Sequence, residues 1–143
     1  MGEDEKIKHL VRYYTTLCGT RDPFKIADRL GVLYQIGDCD FDGCYIFLKN
    51  RRYIFLSNRL SADDLRLVMA HELGHALLDR KQNCYFIRNK TLFSIVRFER
   101  RANTFAAHLL IDDDLISDYK DFTWEQFSDC TGYPEELIKL RLK

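Results

Sequence analysis

MAHELGHALLD, residues Met69 to Asp79, holds His71, Glu72 and His75 in the order H-E-x-x-H. Whether those five letters are chemistry or coincidence decides how the rest of the chain must be arranged. On a helix, residues four apart share a face, so His71 and His75 can aim their imidazoles at one ion. Zinc takes imidazole nitrogen at roughly 2.0–2.1 Å and, in catalytic sites, keeps one position for water. Glu72 lies about 100° further round the helix. It is badly placed to share the ion but can reach a zinc-bound water as general base, since the metal lowers that water's pKa toward roughly 7.

The flanks argue against a surface helix with two incidental histidines. Leu65, Leu67, Val68, Met69, Leu73, Ala76, Leu77 and Leu78 set apolar residues around nearly the whole circumference, which predicts burial. Two histidines and a glutamate on a buried helix need partners, because unpaired polar groups are costly to bury. A metal ion answers all three.

A third ligand should come from a second buried element, and RFERRANTFAAHLLI, Arg97 to Ile111, offers one. Glu99, Ala102, Asn103, Ala106 and Leu110 fall on one helical stripe. Its residues are mostly small, so this helix can approach the His71/His75 helix closely enough for Glu99 to become a metal ligand. Asn103, one turn on, is placed to hold a ligand by a hydrogen bond. The competing reading of Glu99 is a surface pair with a neighbouring arginine. His108 competes for the ligand role but faces the other way, half a turn from Glu99. Asp79, four residues after His75, either orients that histidine or is a surface charge at the helix end. His9 falls on the polar face of the first helix.

Length and composition bound the rest. At 143 residues the chain is expected to be a single domain over 1–143, large enough to bury a core without staples. Lys plus Arg and Asp plus Glu number 22 each. That balance disfavours direct nucleic-acid binding, for which a basic excess or stripe is usual. The clusters Arg51-Arg52 and Arg97 with Arg100-Arg101 lie beside acidic or apolar residues and are read as solvated surface. No apolar run of 18 residues exists, so no membrane span is expected. The opening MGEDEKIKHLVRYY lacks the regions of a signal peptide, and Lys6 stands where a myristoylation signal needs Ser or Thr. Five scattered cysteines without C-x-x-C suit free thiols in a reducing, cytoplasmic setting. Cys39, Cys44 and Cys84 could clamp a metal, but their spacing does not demand it.

Along the chain, residues 5–18 form a helical pattern stopped by Gly19, and Asp22-Pro23 opens a short helix ended by Gly31. Val32 to Ile36 predicts a strand. CYIFLK and RYIFLS, split at Asn50-Arg51, predict an antiparallel hairpin, and RYIFLS or its neighbour is expected to pair with an extended substrate. Ser61 caps the motif helix to about Leu78, a loop with room for a short extended piece fills 79–96, and the second long helix runs from about Arg97 to Leu110. A further turn or two follows over 112–119. Thr123 with Gln126 makes a capping box before WEQFSDC, Gly132 ends that helix and Pro134 starts EELIKLRL. The order predicts an α+β fold, a small antiparallel sheet packed with a helical HExxH zinc core.

HELGHALL paired with E-x-x-A-N-x-F-A-A-x-L-L resembles the ImmA/IrrE family of small zinc metallopeptidases. Here the two motifs read His71-Glu72-Leu73-Gly74-His75 and Glu99-Arg100-Arg101-Ala102-Asn103-Thr104-Phe105-Ala106-Ala107. The likeness is strongest over residues 60–112 and looser through DPFKIADRLGV and TGYPEELIKLRL. It implies a gluzincin-like hydrolase with His71, His75 and Glu99 on Zn2+ and Glu72 catalytic. It also implies a protein substrate, a phage or mobile-element repressor or similar regulator encoded nearby. The alternative is a zinc-stabilised, non-catalytic module that sequesters a regulator or acts in a toxin–antitoxin pair. Members of the family often carry a second acidic residue directly before Ala-Asn, where this chain has Arg101, about 200° around the helix from Glu99. Some are fused to a DNA-binding domain, but the acidic residues in the two short helices over 123–140 do not suit DNA contact. For the oxyanion, Tyr53, Tyr85 and His108 are the candidates.

Overall fold

Side-chain caps set most element boundaries in the computed structural model, which describes residues 2–86 and 96–143, with backbone only for 84–86. Helix α1 (Glu3–Cys18) stops at Gly19. The Asp22 carboxylate accepts from the Phe24 N–H, Pro23 takes the first helical position, and α2 (Pro23–Leu30) ends at Gly31. Ser61 accepts from the Asp64 N–H to open α3 (Ala62–Leu78). Helices α4 (Arg97–Leu110) and α5 (Asp113–Asp118) follow. Thr123 and Gln126 cap each other's backbone at the start of α6 (Trp124–Thr131), and α7 (Glu135–Leu142) begins after Pro134.

Four strands, β1 (Leu33–Gly37), β2 (Gly43–Leu48), β3 (Arg51–Ser57) and β4 (Cys84–Phe86), form one sheet in the order β1-β3-β2-β4. The β2–β3 hairpin turns on Lys49 and Asn50, with φ of 50° and 59°, one residue earlier than the expected split. Two left-handed residues in a two-residue loop match the twist of the flanking strands. The short extended piece of the 79–96 loop is β4, and residues 87–95 lie outside the described residues.

The α+β class holds, with one refinement: the sheet is mixed rather than wholly antiparallel. Strand β1 pairs parallel to β3, from Leu33↔Tyr53 to Gly37↔Ser57. Residues 38–42 carry the chain over the end of β3 instead of reversing it beside β1. They are fastened there by Ser57 N–H to the Asp42 carbonyl at 2.9 Å and Asn58 N–H to the Gly37 carbonyl at 2.8 Å. Strand β2 therefore starts on the far side of β3. One consequence narrows an expectation to the neighbour of RYIFLS. RYIFLS has a partner strand on each edge, so no substrate can be added to it. Its neighbour β2 is paired with β3 and, over Gly43–Tyr45, with β4. Among the described residues the open edges are β1, the other neighbour of RYIFLS, and β4.

Helix α3 lies between the sheet and α4, which is why it needs no polar face: Leu67 through Ala76 are all buried. Tyr45, Ile54, Leu56, Met69, Leu73 and Phe105 are among the largest fully buried side chains of the core around it. On the other side, a Cβ added to Gly74 would stand 3.1 Å from Ala102 Cα and 3.2 Å from Phe105 Cβ. The two helices thus meet backbone to backbone at Gly74 and Ala102. Glu99, one turn before Ala102, is carried by that contact against the histidine face of α3. Helices α1 and α7 pack along the remaining flanks of α4.

Candidate metal centre

Packing on both sides of α3 removes water from His71, Glu72 and His75, each 0% exposed, while Glu99 on α4 is 8% exposed and Asn103 1%. The His71 and His75 Nε2 atoms stand 3.0 Å apart. The Glu99 carboxylate faces both, Oε1 at 2.7 Å from His75 Nε2 and Oε2 at 3.3 Å from His71 Nε2. All three donor atoms lie within 4.8 Å of one another, the one such group of three among the described residues, and this set could hold a metal ion. Asn103 Oδ1 lies 2.7 Å from His71 Nδ1. An amide oxygen only accepts, so the His71 Nδ1–H donates to it and the Nε2 lone pair is left facing the cluster.

Glu72 is the anomaly. Among the described residues both its buried carboxylate oxygens lack a hydrogen-bond partner, as does Glu99 Oε2, which faces His71 Nε2 at 3.3 Å. Burial, and after it the negative charge of Glu99, pushes the Glu72 carboxyl well above the usual carboxylate range. Burial alone would raise Glu99 too, but the His71 and His75 nitrogens facing its two oxygens outweigh that and bring it down to about 2. Burial also lowers the pKa of His71, against the opposing pull of Glu99 and Asn103. Its neutral ring keeps a lone pair for a metal. Chemically, the arrangement offers two nitrogens and a carboxylate as donors beside a second carboxylate that no described residue engages.

The other candidates fall elsewhere. Asp79 Oδ2 accepts from Arg101 Nε at 3.1 Å, so an arginine of α4 holds it. Arg101 also pairs with Glu3 of α1, which Arg97 contacts at 3.2 Å. Arg101 thus ties α4 to α1 and to the end of α3, away from the donors. His108 is half-buried on the opposite face of α4 and lines a separate pocket, and exposed His9 sits 3.6 Å from Glu5. Tyr53 neighbours inward-facing Ile54 on β3 and so points to the sheet face away from α3. Neither Tyr53 nor His108 reaches the cluster, and the Tyr85 and Cys84 side chains lie outside the described residues. Cys18, Cys39, Cys44 and Cys130 are free thiols, and no cysteine joins a three-donor group among the described residues.

Two features of the site escape a reading of the sequence. The backbone contact at Gly74 had a signal, a glycine inside H-E-L-G-H facing a stripe of small residues. The Arg101–Glu3–Asp79 network had none, since its members are far apart in the chain.

No helix among the described residues is long and apolar enough to cross a membrane. The IrrE N-terminal-like domain of the M78 peptidases matches residues 37–143, a span that includes every member of the cluster. A protein of Bacillus phage phi105 named uncharacterized immunity region protein 2 is 32% identical over 139 residues, covering 94% of this chain and 85% of the phage protein. Taken with the paired helical motifs, these matches place the chain in the IrrE N-terminal-like (M78) family of peptidases, the ImmA/IrrE family that those motifs resemble.

Proposed function

We propose that this chain is a zinc-dependent endopeptidase that cuts a repressor or similar regulatory protein of a phage or mobile element. The observation that carries the proposal is the buried, unpartnered Glu72 carboxylate beside three converging donors. A fold rarely buries such a group without a use for it, because the lost hydration costs several kcal/mol. Two imidazoles and one carboxylate make the three-ligand set of zinc hydrolases. Donors around a tetrahedral zinc stand about 3.4 Å apart, and the separations of 2.7, 3.0 and 3.3 Å here suit a small ion.

His71, His75 and Glu99 are the residues that would hold the zinc, with Asn103 fixing the His71 ring. Zinc, when bound, supplies Lewis acidity that polarises a carbonyl and eases deprotonation of water near neutral pH. Glu72 accepts the proton and delivers it to the leaving amine nitrogen, a role its place one residue after His71 on α3 allows. The phage relative bears the words immunity region in its name, which supports a protein regulator, met in the cytoplasm, as the substrate.

The test is direct. The repressor encoded beside this chain is incubated with the purified protein and zinc, cleavage is followed on a gel, and the assay is repeated with Glu72→Gln. Discrete fragments from the parent and none from the variant are expected. A parent that binds zinc and the repressor but leaves it whole would favour the sequestering module.

A further inference from the structure

Basic side chains from four segments meet on the side of α4 opposite Glu99. Lys8 and Arg12 of α1, Arg21 between α1 and α2, His108 of α4 and Arg141 of α7 line one pocket of about 60 Å3, with Asp113 at its rim. Two of the arginines are fixed in place. Arg21 Nη1 donates to the carbonyls of His108 and Leu109, both at 3.0 Å. Arg141 donates from Nε to the Ile111 carbonyl and from Nη2 to Asp113, both at 2.6 Å. These bonds serve the C-terminal carbonyls of α4, where positive charge is favoured.

That role leaves Lys8 and Arg12 unexplained. They lie one turn apart on the same face of α1, and among the described residues neither has a carboxylate within ion-pair distance. The acids nearby are engaged or beyond ion-pair distance: Asp113 with Arg141, Asp112 at 3.9 Å from Arg21, Glu5 at 3.6 Å from His9, and Asp4, one turn before Lys8, which acts on His108 but forms no ion pair among the described residues. Burial, then the charges of Arg141 and Lys8, pushes His108 down to about 4, so its ring is neutral at pH 7 and offers one N–H. Like charges gathered in one place repel unless a counter-charge joins them.

We propose that this pocket binds a phosphate group, clamping α1 to the ends of α4 and α7. A single water needs roughly 10–15 Å3 of such space, so 60 Å3 accommodates a tetrahedral oxyanion. Guanidinium forks held flat by main-chain carbonyls and a mobile ammonium are the groups that recognise phosphate oxygens. The site shares no residue with the metal donors and stands or falls separately from the peptidase reading.

The experiment is a titration of inorganic phosphate into zinc-loaded protein at constant ionic strength, by calorimetry and thermal unfolding. One phosphate per chain and a raised Tm are expected. Lys8→Ala with Arg12→Ala should weaken binding at least tenfold, whereas the charge-preserving pair Lys8→Arg with Arg12→Lys should retain it. Arg12→Ala alone, at an exposed position, gives the same comparison should the double variant fold poorly. Phosphate attracted to zinc would bind the double alanine variant as well as the parent, and that result overturns the proposal. So does an equal rise in Tm with chloride. O-phosphoserine binding as tightly as the free ion assigns the pocket to a phosphate ester, and weaker binding assigns it to free phosphate.

Discussion

Two clusters of charge begin two residues apart on α4, and they are opposite in kind. Glu99 faces His71 and His75 in a buried place, and next to it the Glu72 oxygens have no hydrogen-bond partner among the described residues. Arg101 faces Glu3 and Asp79 with side chains 20%, 39% and 22% exposed, and each charge in that group meets an opposite one. The first arrangement is expensive as it stands, because burial removes hydration that the protein does not replace. The second is self-sufficient and cheap, a surface brace of the sort worth about 0–1 kcal/mol per pair. The lesson is that a carboxylate on a peptidase helix points to chemistry when it is buried and unmatched, and to architecture when it is wet and paired. Arg101 braces the helix against Glu3 and Asp79.

The sharpest way to break this contrast is Glu72→Gln. The amide keeps the shape and all three donors, so zinc content should stay near one per chain while cleavage falls by about 10²–10⁴-fold. Metal analysis and a cleavage time course on the same preparation check both halves. Unchanged cleavage would remove Glu72 from the mechanism and leave its burial without a reason.

Next in size come the donors. Under limiting zinc, His71→Ala, His75→Ala and Glu99→Ala should each lose the metal, and zinc should no longer raise their Tm. For the parent, zinc at a thousand times its Kd adds about 4 kcal/mol to stability, so chelation should produce a clear fall. Asn103→Leu leaves the donors but frees the His71 ring, and should weaken zinc binding by about 10–100-fold. A Glu99→Ala protein that held zinc as tightly as the parent would place the third ligand elsewhere.

How much of this was visible beforehand follows from the range of the interactions. Caps act within four residues, so Asp22, Ser61 and the Thr123–Gln126 pair announced their helices correctly. The motif helix was legible because apolar residues surround His71, Glu72 and His75 on nearly every side of it, and the Glu99–Ala102–Asn103–Ala106 stripe because small residues recur at helical spacing. What left no record lies between distant segments. The parallel pairing of β1 with β3 depends on where the 38–42 loop crosses. Arg101 finds Asp79 and Glu3 across 22 and 98 residues. The basic pocket draws on four segments, none of which looks unusual alone.

The contact that keeps the two clusters in register comes third. Gly74→Ala would put a methyl group 3.1 Å from the Ala102 backbone, which neither helix can yield cheaply. Overpacking of this kind costs about 1–3 kcal/mol. Because the same contact sets the spacing between Glu99 and the histidines, zinc affinity should fall along with Tm. A variant with lowered Tm and full zinc affinity would uncouple the donors from the helix spacing.

Arg101→Ala should have the smallest effect and test the comparison most finely. It removes a brace without touching a donor, so zinc affinity and cleavage should stay close to the parent, with stability down by about 1 kcal/mol or less. The pH dependence separates this from a general weakening. The hydrogen bond from Arg101 is the main cause that holds the Glu3 carboxyl below its ordinary 4.5. A carboxylate depressed in the folded state stabilises the fold above its unfolded value and loses that contribution as acid protonates it. The gap in stability between parent and Arg101→Ala, measured by denaturant unfolding of both proteins without zinc, should therefore be full at pH 7 and narrow as the pH falls below about 4.5. A gap that stayed constant through that range would mean the arginine acts by packing and not by charge. Loss of zinc from Arg101→Ala would be more serious, since it would make the two clusters one.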